Sequence, residues 1–143
     1  MSYSYGAGSR RRLDTCDPKL MRVFYKAIEF RNITIIKGYR PPEEQFEIFK
    51  IGRKETPEGW IVVDEHAVRT NCDGYKVLSQ HNYYPSRAID AALWYNELPH
   101  VRWDRREDFV RLDELVQTIA KQLGVNLRWG GEWGDLDHWE LVL

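Results

Sequence analysis

Between Asp108 and Gly124 the chain reads DFVRLDELVQTIAKQLG, with Phe109, Leu112, Leu115, Val116, Ile119 and Leu123 recurring every three or four residues. Only an α-helix lines those six side chains along one face, and Gly124 is the residue type that stops one. A helix of this kind faces a core, so the rest of the chain must supply the layer beneath it. The apolar runs that can do so are short. ITIIKGYR reads as a buried strand ending in a turn at Gly38, and AIDAALWY as a mostly apolar strand. VNLRW and HWELVL, joined through a Gly-Gly turn, read as two strands of one antiparallel sheet. The expected class is therefore α+β, a small antiparallel sheet with helices packed on it. At 143 residues, without repeats or low-complexity linkers, the chain is expected to form a single domain over 1–143.

Two further helices are legible from their ends. Asp17 is a natural N-cap for a helix that begins with Pro18 and carries Leu20, Met21, Phe24, Tyr25 and Ile28 on one side; it is expected to be the first helix. PPEEQFEIFKIG predicts a second, with Gly52 beyond its end, and places Arg40 at a strand-to-helix junction, where site residues are common. From Arg53 to Gln80 the pattern is irregular, with GWIVVD a possible strand and NCDGYK a turn, so a long loop or small hairpin walling a cleft is expected.

Several function classes are disfavoured. A net charge of −1 argues against a general polyanion binder, and the local run SRRRL at Arg10–Arg12 reads as a solvated flank, so no nucleic-acid partner is expected. Cys16 and Cys72 are too few for a disulfide framework and read as free thiols. No stretch approaches the ~20 apolar residues of a membrane span, and MSYSYGAGSRRRL lacks the apolar centre of a secretory signal. Synthesis in the cytoplasm without a signal peptide is expected, with release by another protein if the target lies elsewhere.

The chemistry concentrates in SQHNYYPSRAID and GDLDHWEL. His81 and Asp90 stand nine residues apart with Pro85 between them, so a loop running into a strand, not a helix face, would bring them together. His138 opens the last apolar run and can deliver its ring from a neighbouring strand. Two imidazoles and one carboxylate suit a catalytic zinc ion with a fourth position left for water, and Asp135 offers a nearby acid to take the proton. Bland readings of the same residues stand beside this one. A histidine at a strand start can simply pack, Asp135 and Asp137 can form turns, Arg40 can be a structural ion-pair partner, and Gln45 can lie on a helix surface.

SQHNYYPSRAID resembles the Ser-x-His…Asp signature of the zinc D-Ala-D-Ala carboxypeptidase and L-alanyl-D-glutamate endopeptidase family, in its phage endolysin-like branch. GYRPPEEQFEIF and GGEWGDLDHWEL are similar to two further segments of that family, in the expected order. The resemblance implies zinc ligands at His81, Asp90 and His138, with Asp135 as the catalytic acid or base. It implies that Arg40 binds a substrate carboxylate or the oxygen that turns negative during attack. Ser79 and Gln45 take motif positions that support the site from behind, and Glu140 a structural position. Three departures stand out: a His81–Asp90 spacing two residues longer than in the short-motif branch, Asp137 in place of the usual proline, and Glu132 where aspartate is common.

The implied reaction is hydrolysis of a peptidoglycan stem peptide beside a D-amino acid. The L-Ala-D-Glu endopeptidase is the first reading, and the D-Ala-D-Ala carboxypeptidase its neighbour. From another class, an inactive wall-binding or virion-associated module is the alternative, which the intact four-residue set disfavours. A monomer is expected, acting on the cell wall, in the periplasm, after release in a phage-infected host. Tyr83, Tyr84, Trp94 and Trp133 are candidate cleft aromatics.

Overall fold

In the computed structural model, residues 3–143 are described. The elements run α1 (Ala7–Leu13), α2 (Pro18–Ala27), β1 (Ile33–Lys37), α3 (Pro42–Lys50), β2 (Arg53–Thr56) and β3 (Gly59–Val62). There follow β4 (Ala88–Leu93), α4 (Arg106–Leu123), β5 (Leu127–Trp129) and β6 (His138–Leu141). Four strands form one antiparallel sheet in the order β1-β4-β6-β5, while β2 and β3 pair separately as a hairpin. The class is α+β, as the sequence implied.

Strand alternation sorts the sheet into two faces. Ile35, Ile89, Ala91, Trp139 and Leu141 turn into the core, where α2 contributes Leu20, Val23 and Phe24 and α4 contributes Leu112, Val116 and Ile119. Trp139, fully buried, meets Phe24 edge-on at 5.9 Å between ring centres and donates its indole N–H to Asp113 at 3.0 Å. Its polar atom is thereby satisfied inside an apolar layer. Asp90 and His138, one residue out of phase, necessarily face the other way.

The helix ends follow local chemistry. Asp17 accepts the Lys19 backbone N–H at 2.8 Å, so the expected cap of α2 is present. At the end of α4, Gly124 turns left-handed with φ of 71° and Val125 N–H reaches back to the Ala120 carbonyl at 2.8 Å. This corrects one expectation: Leu123 is 39% exposed, and past the reversal at Gly124 it is Val125 that is buried.

Two other expectations also change. The helix beginning at Pro18 is the second, because the residues around SRRRL form α1, whose three arginines stay exposed to solvent as expected. Ser9 and Leu13 bury one side of it, and Ser9 Oγ accepts the Ile35 N–H at 2.9 Å, satisfying the open edge of β1. Nor do Gly130 and Gly131 make a hairpin turn. Residues 130–133 form one 3₁₀ turn and the chain wanders to Asp137 before β6 starts. A Cβ on Gly130 would meet His138 Cβ at 2.9 Å, so the glycine permits close packing beneath the site.

The expected hairpin between Arg53 and Gln80 is present as β2–β3. The NCDGYK turn is closed by Asp73, whose Oδ1 accepts the N–H groups of Tyr75, Lys76 and Val77. No helix among the described residues is long and apolar enough to cross a membrane.

Candidate metal centre

Asp90 of β4 and His138 of β6 are directly opposite each other in the strand register. His81 arrives from a single 3₁₀ turn, Gln80–Asn82, at the end of the long loop. Ser79 caps that turn: its hydroxyl accepts the His81 N–H at 3.2 Å, while Asn82 Oδ1 accepts the Ser79 N–H at 2.8 Å. One donor atom from each of His81, Asp90 and His138 lies within 4.8 Å of the others. His81 Nε2 is 3.2 Å, and His138 Nδ1 3.1 Å, from the same Asp90 oxygen.

The opposite ring nitrogens decide which atoms can serve. His81 Nδ1 lies 2.7 Å from the Gly38 carbonyl, which can only accept, so Nδ1 carries the hydrogen and Nε2 is free for a cation. His138 Nε2 donates to Glu140 at 2.8 Å in the same way, freeing Nδ1. Two oriented imidazoles and a carboxylate, all aimed at one point, fit a divalent metal ion that keeps an open coordination position.

The electrostatics agree. Burial alone would lower His138, but hydrogen bonds to Asp90 and Glu140 win and raise it to about 9. Burial would raise Asp90, yet the hydrogen bonds from His138 and His81 hold its carboxyl well below the usual range. The carboxylates that hold a proton on His138 give the site a negative potential, which also suits a cation. Glu140 is lowered chiefly by its bond to His138. Asp137 is raised to about 7, first by burial and then by the charges of Asp90 and Asp135.

Arg40 is anchored beside the three. Its N–H donates to the His81 carbonyl at 2.8 Å and its own carbonyl accepts from Asn82 at 3.0 Å, so the turn that carries His81 also fixes Arg40. Nη1 donates to Gln45 at 3.0 Å, Nη2 lies 3.9 Å from Asp90, and the buried Nε makes no hydrogen bond, with Glu44 Oε1 at 3.9 Å. Gln45, 1% exposed, passes the tie onward through Nε2 to Thr70 Oγ1 and the Cys72 carbonyl. Asp135 stands at the mouth, half exposed, with Oδ2 3.8 Å from His138 Nδ1. These residues line one cleft of 780 Å³, walled by residues 69–72 and by Trp133.

The sequence pattern of the phage L-alanyl-D-glutamate peptidase family matches residues 1–140. The chain belongs to that family. It is thus a peptidase, and so a hydrolase, of the endolysin-like kind. It is 24% identical over 135 residues to the L-alanyl-D-glutamate peptidase of Escherichia phage T5, covering 93% of this chain and 83% of that one. Its fold is shared with the crystal structure of the L-Ala D-Glu endopeptidase ChiX of Serratia marcescens. There the TM-score is 0.69 at 22% identity, over 97% of this chain and 90% of that one.

In this phage peptidase the structure brings together all seven residues singled out from the sequence: His81, Asp90, His138, Asp135, Arg40, Ser79 and Gln45. Gln45 is no surface residue, because its amide bonds three groups at once, on Arg40 and on residues 70–72. Of the four aromatics only Trp133 lines the cleft. Tyr83 stacks under Arg87, Tyr84 leans edge-on against Tyr39, and Trp94 stacks on His100. Asn82 and the Gly38 carbonyl were missed as site supports, and Glu140 was read as structural. The Ser79-x-x-Asn82 spacing is a capping pattern that would have exposed Asn82; a backbone carbonyl leaves no such mark.

Proposed function

We propose that this chain is a zinc hydrolase that cuts the L-Ala-D-Glu bond of peptidoglycan stem peptides, with His81 Nε2, Asp90 and His138 Nδ1 as ligands. The observation that carries the reading is the convergence of those three donors, each imidazole turned by an acceptor behind it, with Arg40 and Asp135 on either side. Nitrogen and oxygen donors in a three-ligand set favour zinc in its catalytic form. Bound zinc supplies a Lewis acid that acidifies water and polarises the scissile carbonyl.

The protein's own groups do the rest. Asp135, half exposed and beside His138, is free to take a proton from the attacking water and return it to the leaving amine of D-Glu. Arg40, whose guanidinium stands beside Asp90 with its Nε making no hydrogen bond, offers it to the oxygen that becomes negative. Gln45 and Asn82 hold Arg40 in place, while Ser79, Gly38 and Glu140 hold the two histidines. Asp137 is the rival for the proton-transfer role. The enzyme acts on the cell wall as a monomer and reaches it through release by another protein.

Purified protein incubated with defined muropeptides, with and without a chelator, tests this by product mass. The expected product is a fragment with glutamate at a new N-terminus, formed only with metal. Release of terminal D-Ala alone would point to the carboxypeptidase, and no cleavage with zinc demonstrably bound would sink the enzymatic reading.

A further inference from the structure

The two walls of the metal cleft differ in charge. Asp90, Asp135, Asp137 and Glu140 come from β4, β6 and the segment before β6, so the sheet side carries every acid that lines the cleft. The opposite wall, residues 69–72 and 78–80, has none, and its one charged side chain is Arg69. Arg40, the other arginine of the cleft, is already engaged by Gln45 at 3.0 Å and by Glu44 and Asp90 at 3.9 Å each. Arg69 is exposed and, among the described residues, has no carboxylate within 4.0 Å and no hydrogen bond from its side chain.

The backbone on both sides of Arg69 is held. Val68 sits against Gly52, where a Cβ would come within 2.9 Å of it, and the Thr70 carbonyl accepts Arg53 Nη1 at 2.9 Å. Thr70 Oγ1 accepts Gln45 Nε2 at 3.3 Å, while Oε1 of the same amide accepts Arg40 Nη1. One buried glutamine thus ties the segment that carries Arg69 to Arg40, beside the metal centre.

A glutamyl residue within a peptide uses its amino group and one carboxyl for linkage, so its other carboxyl stays free, a few bonds from the nitrogen of the bond being cut. Near neutrality that group is an anion, repelled by the acid-bearing wall and attracted by the opposite one. A guanidinium fork matches its two oxygens. Resting on the proposed L-Ala-D-Glu cleavage, we propose that Arg69 binds the free carboxylate of the D-glutamyl residue on the leaving side of the scissile bond and thereby determines specificity. Arg40 is left to the oxygen that becomes negative.

The test is cleavage of two soluble muropeptides by the zinc-loaded full chain, one with the free glutamyl carboxyl intact and one with it converted to the amide, so that changes in substrate and enzyme form a cycle. Wild type is compared with Arg69→Gln, Arg69→Lys and Lys54→Gln, the last removing an equal charge from an exposed position on β2 outside the cleft. Melting temperatures verify that each variant is folded. Wild type should favour the carboxylate about tenfold or more in kcat/KM, mainly through KM. Arg69→Gln should abolish that preference by losing rate on the carboxylate substrate alone, Arg69→Lys should keep part of it, and Lys54→Gln all of it. A wild type indifferent to amidation, an Arg69→Gln variant that keeps the preference or slows equally on both substrates, or an equal loss in Lys54→Gln would overturn the proposal. Cleavage of neither substrate by wild type would overturn the proposed function with it, so the two failures are told apart.

Discussion

Removing the Glu140 carboxylate should cost metal affinity although Glu140 touches no metal. Its Oε1 accepts the His138 Nε2 hydrogen at 2.8 Å, and both side chains are largely shielded from water. In Glu140→Ala the ring loses the acceptor that fixes its tautomer and orientation. The stranded N–H, in a residue only 7% exposed, costs about 1–3 kcal/mol. Loss of such an outer partner typically lowers metal affinity about 10–100-fold, or roughly 1.4–2.7 kcal/mol, which agrees with that figure. Glu140→Gln keeps an acceptor and loses only charge, so it should fall between wild type and alanine. The salt bridge from Glu140 to Arg128 contributes little, because Arg128 is 54% exposed. Competition with a chromogenic zinc chelator measures the affinities. Glu140 also helps raise His138, so the alanine variant meets less proton competition near neutrality, and the full loss is read at pH 9. An alanine variant that binds zinc within about twofold of wild type at that pH would refute the orienting role.

Other consequences can be checked in the same preparations. Asp135→Ala should retain zinc and lose about 10²–10⁴-fold in kcat; full activity would shift the proton-transfer role to Asp137 or Glu132. Gln45→Ala should lower stability by about 1–3 kcal/mol in denaturant titration, since a buried amide tying Arg40 to residues 70–72 is lost. It should also reduce kcat/KM with zinc affinity unchanged, and intact kcat/KM would argue against Arg40 as the positioned group. In the metal-free protein His138 is raised from 6.5 to about 9, so its proton stabilises the fold fully below pH 6.5 and progressively less as pH rises through 9. Melting temperature without metal should therefore decline across that window. A zinc-loaded sample should not share the decline.

What could be read in the chain was local or chemically marked. The start of α2 at Asp17-Pro18, the stop of α4 at Gly124 and the six-residue apolar face between Phe109 and Leu123 depend on neighbours in sequence, and five of those six side chains pack as expected. α1 was illegible because its burial amounts to Ser9 and Leu13, too little for a periodic signal; its reason for existing is the unpaired edge of β1. Gly130 and Gly131 misled for a similar reason. Turn chemistry and close packing both call for glycine, and only the space beside His138 distinguishes them.

The sequence by itself determined the donor inventory, its order along the chain and, through the resemblance of three segments, the family and its chemistry. Tertiary structure decided how those donors meet. Opposition of Asp90 and His138 depends on strand register, which is set by burying Ile89 and Trp139 on the far face, because a slip of one residue would turn every side chain over. Which nitrogen of each histidine faces inward depends on the Gly38 carbonyl and on Glu140, and a hydrogen-bond acceptor exerts that choice only once the fold has placed it within about 3 Å.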